Sequence, residues 1–233
     1  MTTLTYKQRR TEIETYFDRT AAEAWSRLTS NAPVGRIRQT VRAGRERMRN
    51  TLLDWLPLDL SGRRLLDAGC GTGALAVEAA RRGAQVVAVD LSPTLIALAR
   101  ERVPEDVPVA RIDYQVGDMW DPDLGQFDHV VAMDSLIHYR AADAVRTLAG
   151  LASLTERSVI FTFAPRTPLL ALMHAVGRWF PRSERAPAIE PVLESQLVHR
   201  LATEFGFATW RRGRSTRISS GFYTSQAFEL TRL

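Results

Sequence analysis

The spacing of hydrophobic residues changes near residue 60 and divides the chain into two parts. Between residues 5 and 30, apolar side chains recur every three or four positions, which is the spacing of one helical face. These residues are Ile13, Tyr16, Phe17, Ala21, Trp25 and Leu28. A second pattern extends from Ile37 to Leu56 and stops before Pro57. Residues 1–60 are therefore predicted to form a pair of helices ahead of the main domain.

From residue 61 onwards, short apolar runs alternate with helical stretches. The runs are 65–66, 86–89, 112–116, 127–133 and 158–163. This alternation is typical of an α/β domain with a parallel sheet and crossover helices, which we predict for residues 61–233. Two closing strands are predicted at 207–217 and 222–230. An amphipathic helical insert is predicted within about 166–190, after the fifth strand.

The composition is that of a globular protein. Hydrophobic residues make up 45% of the chain and charged residues 24%, which excludes disordered and fibrous classes. The apolar stretches are much shorter than the roughly 20 residues that cross a bilayer, and residues 1–14 contain no apolar signal core. The single cysteine, Cys70, allows no internal disulfide. These features predict a cytoplasmic protein that is attached to a membrane at most peripherally.

Positive charge is concentrated at the N-terminus. The net charge is +5, but the first fifty residues hold 11 basic and 5 acidic side chains, an excess of +6, which leaves −1 for the remaining 183. This imbalance predicts an anionic ligand or surface near that end of the chain. A bias toward arginine codons is an alternative explanation for the choice of arginine over lysine, but it does not explain the position of the excess.

Four acidic residues follow predicted strands, namely Asp67, Asp90, Asp118 and Asp134. Parallel sheets bind ligands at the carboxyl ends of their strands, so these side chains are candidates for one binding site. The alternative is that they are ordinary loop residues at helix N-termini.

A glycine-rich segment, Asp67-Ala-Gly69-Cys-Gly71-Thr-Gly73, follows the first strand. Glycines let the backbone turn tightly against a ligand, and the following helix offers free N–H groups. The spacing also fits a dinucleotide site, with Asp90 where a ribose-binding acid belongs. An acid before the glycines, a second acid after the third strand, and the lack of length for a separate substrate domain favour S-adenosylmethionine.

Residues 65–134 resemble the class I S-adenosylmethionine-dependent methyltransferases, whose fold is a Rossmann-like α/β sheet. The resemblance implies that Gly69, Gly71 and Gly73 wrap the methionine part of S-adenosylmethionine and that Asp67 meets its amino group. It also implies that Asp90 binds the ribose hydroxyls and Leu91 packs on the adenine. Three further residues complete the implied cofactor site, namely Asp118 and Met119 at the adenine edge and Asp134 after the fourth strand.

Three segments are similar to the magnesium-protoporphyrin IX methyltransferases of (bacterio)chlorophyll synthesis, namely 16–27, 134–139 and 161–167. Three positions depart from the family pattern: Arg166 stands where the family has lysine, and Ala21-Ala22 stand where it often has Gly-Phe. The resemblance implies methyl transfer from S-adenosylmethionine to one propionate of Mg-protoporphyrin IX, giving the monomethyl ester. Mg²⁺ then belongs to the substrate, and the protein is expected to have no metal site of its own. The resemblance also implies the large porphyrin-binding subunit of magnesium chelatase as a candidate partner and the inner or photosynthetic membrane as the surface for peripheral attachment, whereas nucleic acid is not expected.

The same resemblance implies roles for five residues. His138 and Tyr16 are implied to be catalytic, and Arg166, Tyr139 and Trp25 to bind the substrate. His138 would hydrogen-bond the propionate or approach the Mg²⁺, while Arg166 would pair with the propionate that does not react. The alternatives are a helix-capping histidine and core aromatic residues. Residues 1–60 and the insert would act as lids over the cofactor edge.

Two other functions remain open. A methyltransferase that acts on a quinone precursor or another small-molecule hydroxyl would share the cofactor motifs. A porphyrin carrier without catalytic activity would bind porphyrin but not the cofactor.

Overall fold

The computed structural model of the protein describes residues 4–20, 29, 35–166, 189–203 and 207–233. Helices α1 (Leu4–Thr15) and α2 (Arg36–Asp54) precede the sheet, and a π-helical turn (Tyr16–Thr20) extends α1. The strands are β1 (Arg64–Ala68), β2 (Gln85–Asp90), β3 (Ile112–Val116), β4 (Phe127–Ala132), β5 (Thr155–Phe163), β6 (Trp210–Ser220) and β7 (Tyr223–Arg232). The other helices are α3 (Ala74–Arg81), α4 (Pro93–Glu101), α5 (Ala141–Ser153) and α6 (Glu194–Thr203).

The described strands form one seven-stranded sheet in the order β3-β2-β1-β4-β5-β7-β6. Strands β1 to β5 are parallel, and β7 is antiparallel to both of its neighbours, β5 and β6. The order reverses at β1, which lies between β2 and β4, and ligands bind at such reversals. The predicted Rossmann-like α/β sheet is confirmed.

Apolar side chains cover both faces of the sheet. Leu65 and Val131 belong to the cluster that packs against α2, α3 and α4, while Leu66 and Val130 belong to the cluster under α1, α5 and α6. All four are fully buried, and each contributes about 1.5–3 kcal/mol. Burial on both faces explains why the strands appear in the sequence as continuous apolar runs.

The first helix differs from its prediction. The apolar pattern predicts one helix as far as Ser30, but α-helical structure ends at Thr15 and the π-helical turn follows. Asp18 of this turn accepts hydrogen bonds from the hydroxyl and N–H of Thr94, at 2.7 and 3.3 Å. The turn is thereby tied to the N-terminus of α4, a tertiary contact that hydrophobic spacing does not report.

The two closing strands end two to three residues later than predicted, at Ser220 and Arg232 instead of 217 and 230. The prediction places the first at 207–217, but Phe207 is buried in a short turn before β6 begins at Trp210. The predicted insert falls largely on 167–188, which lie outside the described residues. None of the helices described is both long enough and apolar enough to cross a membrane.

We predict that Gly44→Ala destabilises the protein, because a Cβ at Gly44 would lie 2.5 Å from the Tyr223 ring. The clash costs about 1–3 kcal/mol and outweighs the gain of up to about 1 kcal/mol in helix propensity. Thermal unfolding should show a melting temperature lower by a few degrees. Gly35→Ala, at the N-cap of the same helix, is the control, since nothing lies within 4 Å of a Cβ built there. Equal melting temperatures for the two variants would contradict the tight contact between α2 and β7.

Candidate active site

A cavity of about 480 Å³ opens at the carboxyl ends of the parallel strands. Ten residues predicted for the site line it, namely Tyr16, Asp67, Gly69, Gly71, Asp90, Leu91, Met119, Asp134, His138 and Tyr139. Gly73, Asp118 and Arg166 do not line it, and Trp25 lies outside the described residues. The topology therefore brings most of the predicted site together at one place.

The glycine loop lies directly against the segment that follows β4. Gly69 has φ 81°, and a Cβ there would lie 2.4 Å from the Cβ of Ser135. The N–H groups of Gly69 and Cys70 both donate to the carbonyl of Val89, at 2.8 and 3.0 Å, which holds the loop against β2. The hydroxyl oxygen of Ser135 is buried beside this loop with no hydrogen-bond partner. The glycine backbone at Gly69 and Gly71 thus lines the cavity directly.

Asp67 is a buried acid with an unsatisfied oxygen. Its residue is 2% exposed, and its Oδ2 has no hydrogen-bond partner. Burial raises the pKa of Asp67 to about 7, an N–H of Ala76 offsets part of this rise, and the nearby charge of Asp90 adds to it. A buried carboxylate that lacks a partner is costly, so this position favours a cationic hydrogen-bond donor in the cavity.

Asp90 holds together the backbone on two sides of the cavity. Its carboxylate accepts hydrogen bonds from the N–H groups of Gly71 and Ser92, at 2.8 and 3.0 Å. Burial raises its pKa, and these backbone donors partly oppose the rise. Each carboxylate oxygen can accept a second hydrogen bond, so Asp90 retains acceptor capacity toward the cavity.

Asp118 contacts α1 rather than the cavity. Its carboxylate accepts hydrogen bonds from the hydroxyl of Tyr6 at 2.7 Å and the guanidinium of Arg10 at 3.1 Å. The indole of Trp120 donates to the Tyr6 hydroxyl at 3.0 Å, and the Tyr6 ring stacks on Tyr139 with centroids 5.1 Å apart. Asp118 therefore joins the first helix to the sheet, and its predicted role at the adenine edge stays a prediction.

Asp134 has a positive φ of 54°, which no other described residue apart from glycine shows. Its N–H donates to the hydroxyl of Thr162 at 2.7 Å, and that hydroxyl donates back to the carboxylate at 3.1 Å. The carboxylate also accepts hydrogen bonds from Tyr223, Ser225 and Arg45. The Arg45 contact is 2.5 Å, with the Asp134 side chain 5% exposed. Asp134 thus joins β4, β5, β7 and α2.

His138 and Tyr16 both line the cavity and both lie close to Phe17. His138 is buried in a short 3₁₀ turn (Leu136–His138), and its ring centroid is 6.0 Å from that of Phe17. Tyr16 is half-buried, and its ring meets Phe17 edge-on at 5.1 Å. Burial raises the pKa of the Tyr16 hydroxyl, so that it stays protonated. The two residues predicted to be catalytic therefore both contact one aromatic side chain.

Arg166 is exposed after β5, and its N–H donates to the carbonyl of Val192 at 3.0 Å. Its assignment to the substrate stays a prediction. Within the described ranges, no group of three or more His, Cys, Asp or Glu side chains is arranged to hold a metal ion.

Sequence reasoning missed a row of cations on α2. Arg42, Arg45 and Arg49 all line the cavity, and Nε of Arg49 is buried without a hydrogen-bond partner. Their spacing of three and four residues places them on one helical face, which was the available signal. What the sequence did not show is that this face turns toward the glycine loop.

Comparison with known proteins places the chain in a family. A family profile described as "Magnesium-protoporphyrin IX methyltransferase C-terminus" matches residues 132–232, and one described as "Methyltransferase domain" matches 65–157. The chain is 47% identical to magnesium-protoporphyrin O-methyltransferase of Rhodobacter capsulatus, over 96% of this chain and 97% of that protein.

A solved structure matches nearly the whole chain, whereas a methyltransferase of another pathway matches only half of it. The crystal structure of magnesium protoporphyrin IX methyltransferase from Synechocystis PCC 6803 with bound SAH superimposes with a TM-score of 0.84 and 27% identity, covering 96% of this chain and all of that one. A ubiquinone biosynthesis O-methyltransferase of Xanthomonas oryzae is 38% identical over only 52% of this chain and 51% of its own length. By its fold and near full-length identity, the chain belongs to the magnesium-protoporphyrin O-methyltransferase family.

Proposed function

We propose that this protein transfers a methyl group from S-adenosylmethionine to one propionate of Mg-protoporphyrin IX and forms the monomethyl ester. The observation that carries the proposal is a cavity lined together by the glycine loop, the buried Asp67, His138 and Tyr16. The near full-length similarity to magnesium-protoporphyrin O-methyltransferases supports the choice of acceptor.

The residues of the cavity fit S-adenosylmethionine. The unpartnered Oδ2 of Asp67 would accept a hydrogen bond from the amino group of the cofactor. The buried Nε of Arg49 would donate to its carboxylate, and the glycine loop leaves space for the chain between them. Each of these two unsatisfied protein groups thus matches a group of opposite charge at the same end of the cofactor.

The nucleoside part of the cofactor would lie further along the sheet edge. Asp90 would accept hydrogen bonds from the ribose hydroxyls through its remaining lone pairs, and Leu91 and Met119 would contact the adenine. Asp118 would reach the adenine edge only while it also holds Tyr6 and Arg10. Cofactor binding and docking of α1 would then involve the same carboxylate.

When bound, S-adenosylmethionine supplies a sulfonium methyl carbon, to which a carboxylate oxygen bonds as the carbon–sulfur bond breaks and its electron pair stays on sulfur. A propionate has a reference pKa of about 4.3, so the protein does not need a strong base to ionise it. The task of the cavity is to hold the reacting oxygen about 3 Å from the methyl carbon and to exclude water, which can supply roughly 7–11 kcal/mol of the barrier.

His138 and Tyr16 would perform this placement. His138 would orient the reacting propionate or approach the Mg²⁺ of the substrate, and Tyr16 would close the cavity from the π-helical turn. If the acceptor were a hydroxyl group, His138 would have to act as a base. Methylation of such a hydroxyl is the second candidate function, because the chain is partly similar to ubiquinone biosynthesis O-methyltransferases. Arg166, Tyr139 and Trp25 remain candidates for contact with the porphyrin.

The basic N-terminal segment bears on contacts with a membrane, with a partner protein and with the rest of the chain. The basic excess of the first fifty residues and the family resemblance support peripheral contact with an anionic membrane and with the porphyrin-binding subunit of magnesium chelatase. We also propose that residues 1–60 act as a lid on the domain 61–233. The contact of Asp18 with α4 and that of Arg10 with Asp118 support this division of the chain.

We predict that cofactor binding depends on the ionisation of Asp67. Because its pKa is about 7 in the empty cavity, a proton must leave Asp67 before it can pair with an ammonium group. The affinity for S-adenosylhomocysteine should therefore rise with pH between about 5.5 and about 7.5 and then level off. Isothermal titration calorimetry in buffers of different ionisation enthalpy would detect the released proton.

Asp67→Asn should bind S-adenosylhomocysteine about ten- to a hundred-fold more weakly, without this pH dependence. Asp113→Asn is the matched control. Asp113 is an exposed acid near the N-terminal end of β3, whereas the cavity lies at the carboxyl ends of the strands. An Asp67→Asn variant that kept both the affinity and the pH profile of the unmodified protein would remove Asp67 from the cofactor site.

We predict that purified protein with S-adenosylmethionine converts Mg-protoporphyrin IX to a product heavier by one methyl group, as measured by mass spectrometry. Absence of this product in the presence of measurable cofactor binding would reject the proposed substrate. Methylation of a quinone precursor instead would favour the second candidate.

We predict that His138→Ala lowers kcat on Mg-protoporphyrin by about a hundred-fold or less. At saturating cofactor, the pH profile of kcat should stay flat above pH 6, because the carboxylate of the substrate is already ionised. If kcat of the unmodified protein depended steeply on pH and this dependence disappeared in His138→Ala, His138 would instead be a base for a hydroxyl acceptor. Tyr16→Phe tests whether the hydroxyl takes part, and unchanged kinetics would make Tyr16 a packing residue.

A further inference from the structure

The carboxylate of Asp134 is occupied by side chains of the protein itself. Two carboxylate oxygens together offer about four acceptor positions. Among the described residues, four side chains donate to them, namely Thr162 and Ser225 at 3.1 Å, Tyr223 at 3.1 and 3.2 Å, and Arg45 at 2.5 Å. The Asp134 side chain is 5% exposed. A ligand could therefore bind this carboxylate only by displacing one of these donors.

The backbone of Asp134 stands directly before the turn that carries His138. Strand β4 ends at Ala132, and the 3₁₀ turn (Leu136–His138) begins two residues after Asp134. The positive φ of 54° at Asp134 is a conformation that persists only where the surrounding structure holds it. The direction in which the chain leaves β4 is thus set at Asp134, and with it the place of His138 at the cavity.

The same segment touches the glycine loop. Ser135 lies between Asp134 and the turn, and a Cβ at Gly69 would lie 2.4 Å from the Cβ of Ser135. A backbone rotation at Asp134 would therefore move His138 relative to the loop where the cofactor is proposed to bind. A displacement of about 1 Å at a reacting centre can cost about a hundred-fold in rate.

The donors to Asp134 come from three different elements. Thr162 lies on β5, Tyr223 on β7 and Arg45 on α2. Burial raises the pKa of the Tyr223 hydroxyl, and the charge of Asp134 adds to the rise, so the hydroxyl stays protonated and donates. The Tyr223 ring also packs closely against Gly44 of α2. The carboxylate therefore aligns the segment after β4 with β5, β7 and α2 at once.

We propose that Asp134 is a positioning residue, which holds the turn that carries His138 against the acceptor carboxylate and does not bind the cofactor. This inference rests on the function proposed above, in which His138 orients the reacting propionate. Removal of the negative charge would weaken the hydrogen bonds that hold the positive φ and leave Arg45 without this counter-charge. Methyl transfer should then become slower while cofactor binding changes little.

The test uses two variants of the network and one matched control. Asp134→Asn keeps the size of the side chain and a residue type that tolerates positive φ, but removes the charge. Tyr223→Phe removes one donor and keeps the ring against α2. Asp128→Asn is the control, because Asp128 lies near the N-terminal end of β4 and also pairs with two arginines, at 3.0 Å each. Thermal unfolding establishes that each variant is folded.

Asp134→Asn should lower kcat on Mg-protoporphyrin about ten- to a hundred-fold and Tyr223→Phe about two- to ten-fold, whereas Asp128→Asn should leave kcat unchanged. Calorimetry should find the affinity of each variant for S-adenosylhomocysteine within about three-fold of that of the unmodified protein. In the background of His138→Ala, Asp134→Asn should lower kcat by less than about three-fold, because the residue that it positions is already absent.

Three outcomes would overturn the inference. Losses that multiply in the double variant would show that Asp134 does not act through His138. Binding of S-adenosylhomocysteine that is weaker by more than about ten-fold in Asp134→Asn would make Asp134 a cofactor ligand. A kcat of Asp134→Asn equal to that of the unmodified protein would remove it from the reaction. If Asp134→Asn does not fold, the same comparisons with Tyr223→Phe decide the question.

Failure of the proposed function can be distinguished from failure of this inference. If the unmodified protein binds S-adenosylhomocysteine but does not methylate Mg-protoporphyrin, the function is wrong. NMR of the histidine rings with S-adenosylhomocysteine bound then tests the inference without activity, and the His138 signal is assigned by its loss in His138→Ala. This signal should shift in Asp134→Asn and not in Asp128→Asn. An unchanged His138 signal in Asp134→Asn would overturn the inference independently.

Discussion

The network around Asp134 is the interaction on which the arrangement of the cavity depends. A left-handed backbone conformation at an aspartate costs of order 1–3 kcal/mol, and it persists only where the surroundings determine it strongly. Here Thr162, Tyr223, Ser225 and Arg45 all bond to this one carboxylate. Hydrogen bonds to a charged group contribute roughly 1.5–3 kcal/mol each, so the network outweighs the strain. The positive φ redirects the chain after β4 so that His138 lines the cavity.

Ion pairs and hydrogen bonds at the sheet edge explain why two helices outside the sheet belong to the site. Arg45 attaches α2 to the sheet edge, and α1 is attached separately through Asp118 and the stacked Tyr6 and Tyr139 rings. Charges of both signs line the cavity, with buried acids beside the glycine loop and arginines along α2. This combination matches a cofactor with an ammonium group and a substrate with two carboxylates, because each ionic group of a ligand needs a counter-charge.

Sequence reasoning succeeded where a short segment carries its own physical signal. The parallel strands were found because burial on both faces makes each an apolar run, and the glycine loop because its spacing and the preceding Asp67 occur within seven residues. It was wrong about the end of α1 at Thr15, which depends on a contact between distant segments. For the same reason it did not report that Tyr6 engages Asp118 or that Arg166 is exposed.

The sequence by itself determined the sheet, the position of the cofactor loop and the set of acids at the strand ends, since periodicity and local motifs are properties of neighbouring residues. Only the tertiary structure decided which of these acids keep unsatisfied oxygens and which are already paired. Asp67 keeps a buried oxygen without a partner, whereas Asp134 is paired with Arg45, which lies 89 residues earlier in the chain. Burial and pairing are set by which segments meet, and so by packing across the whole chain.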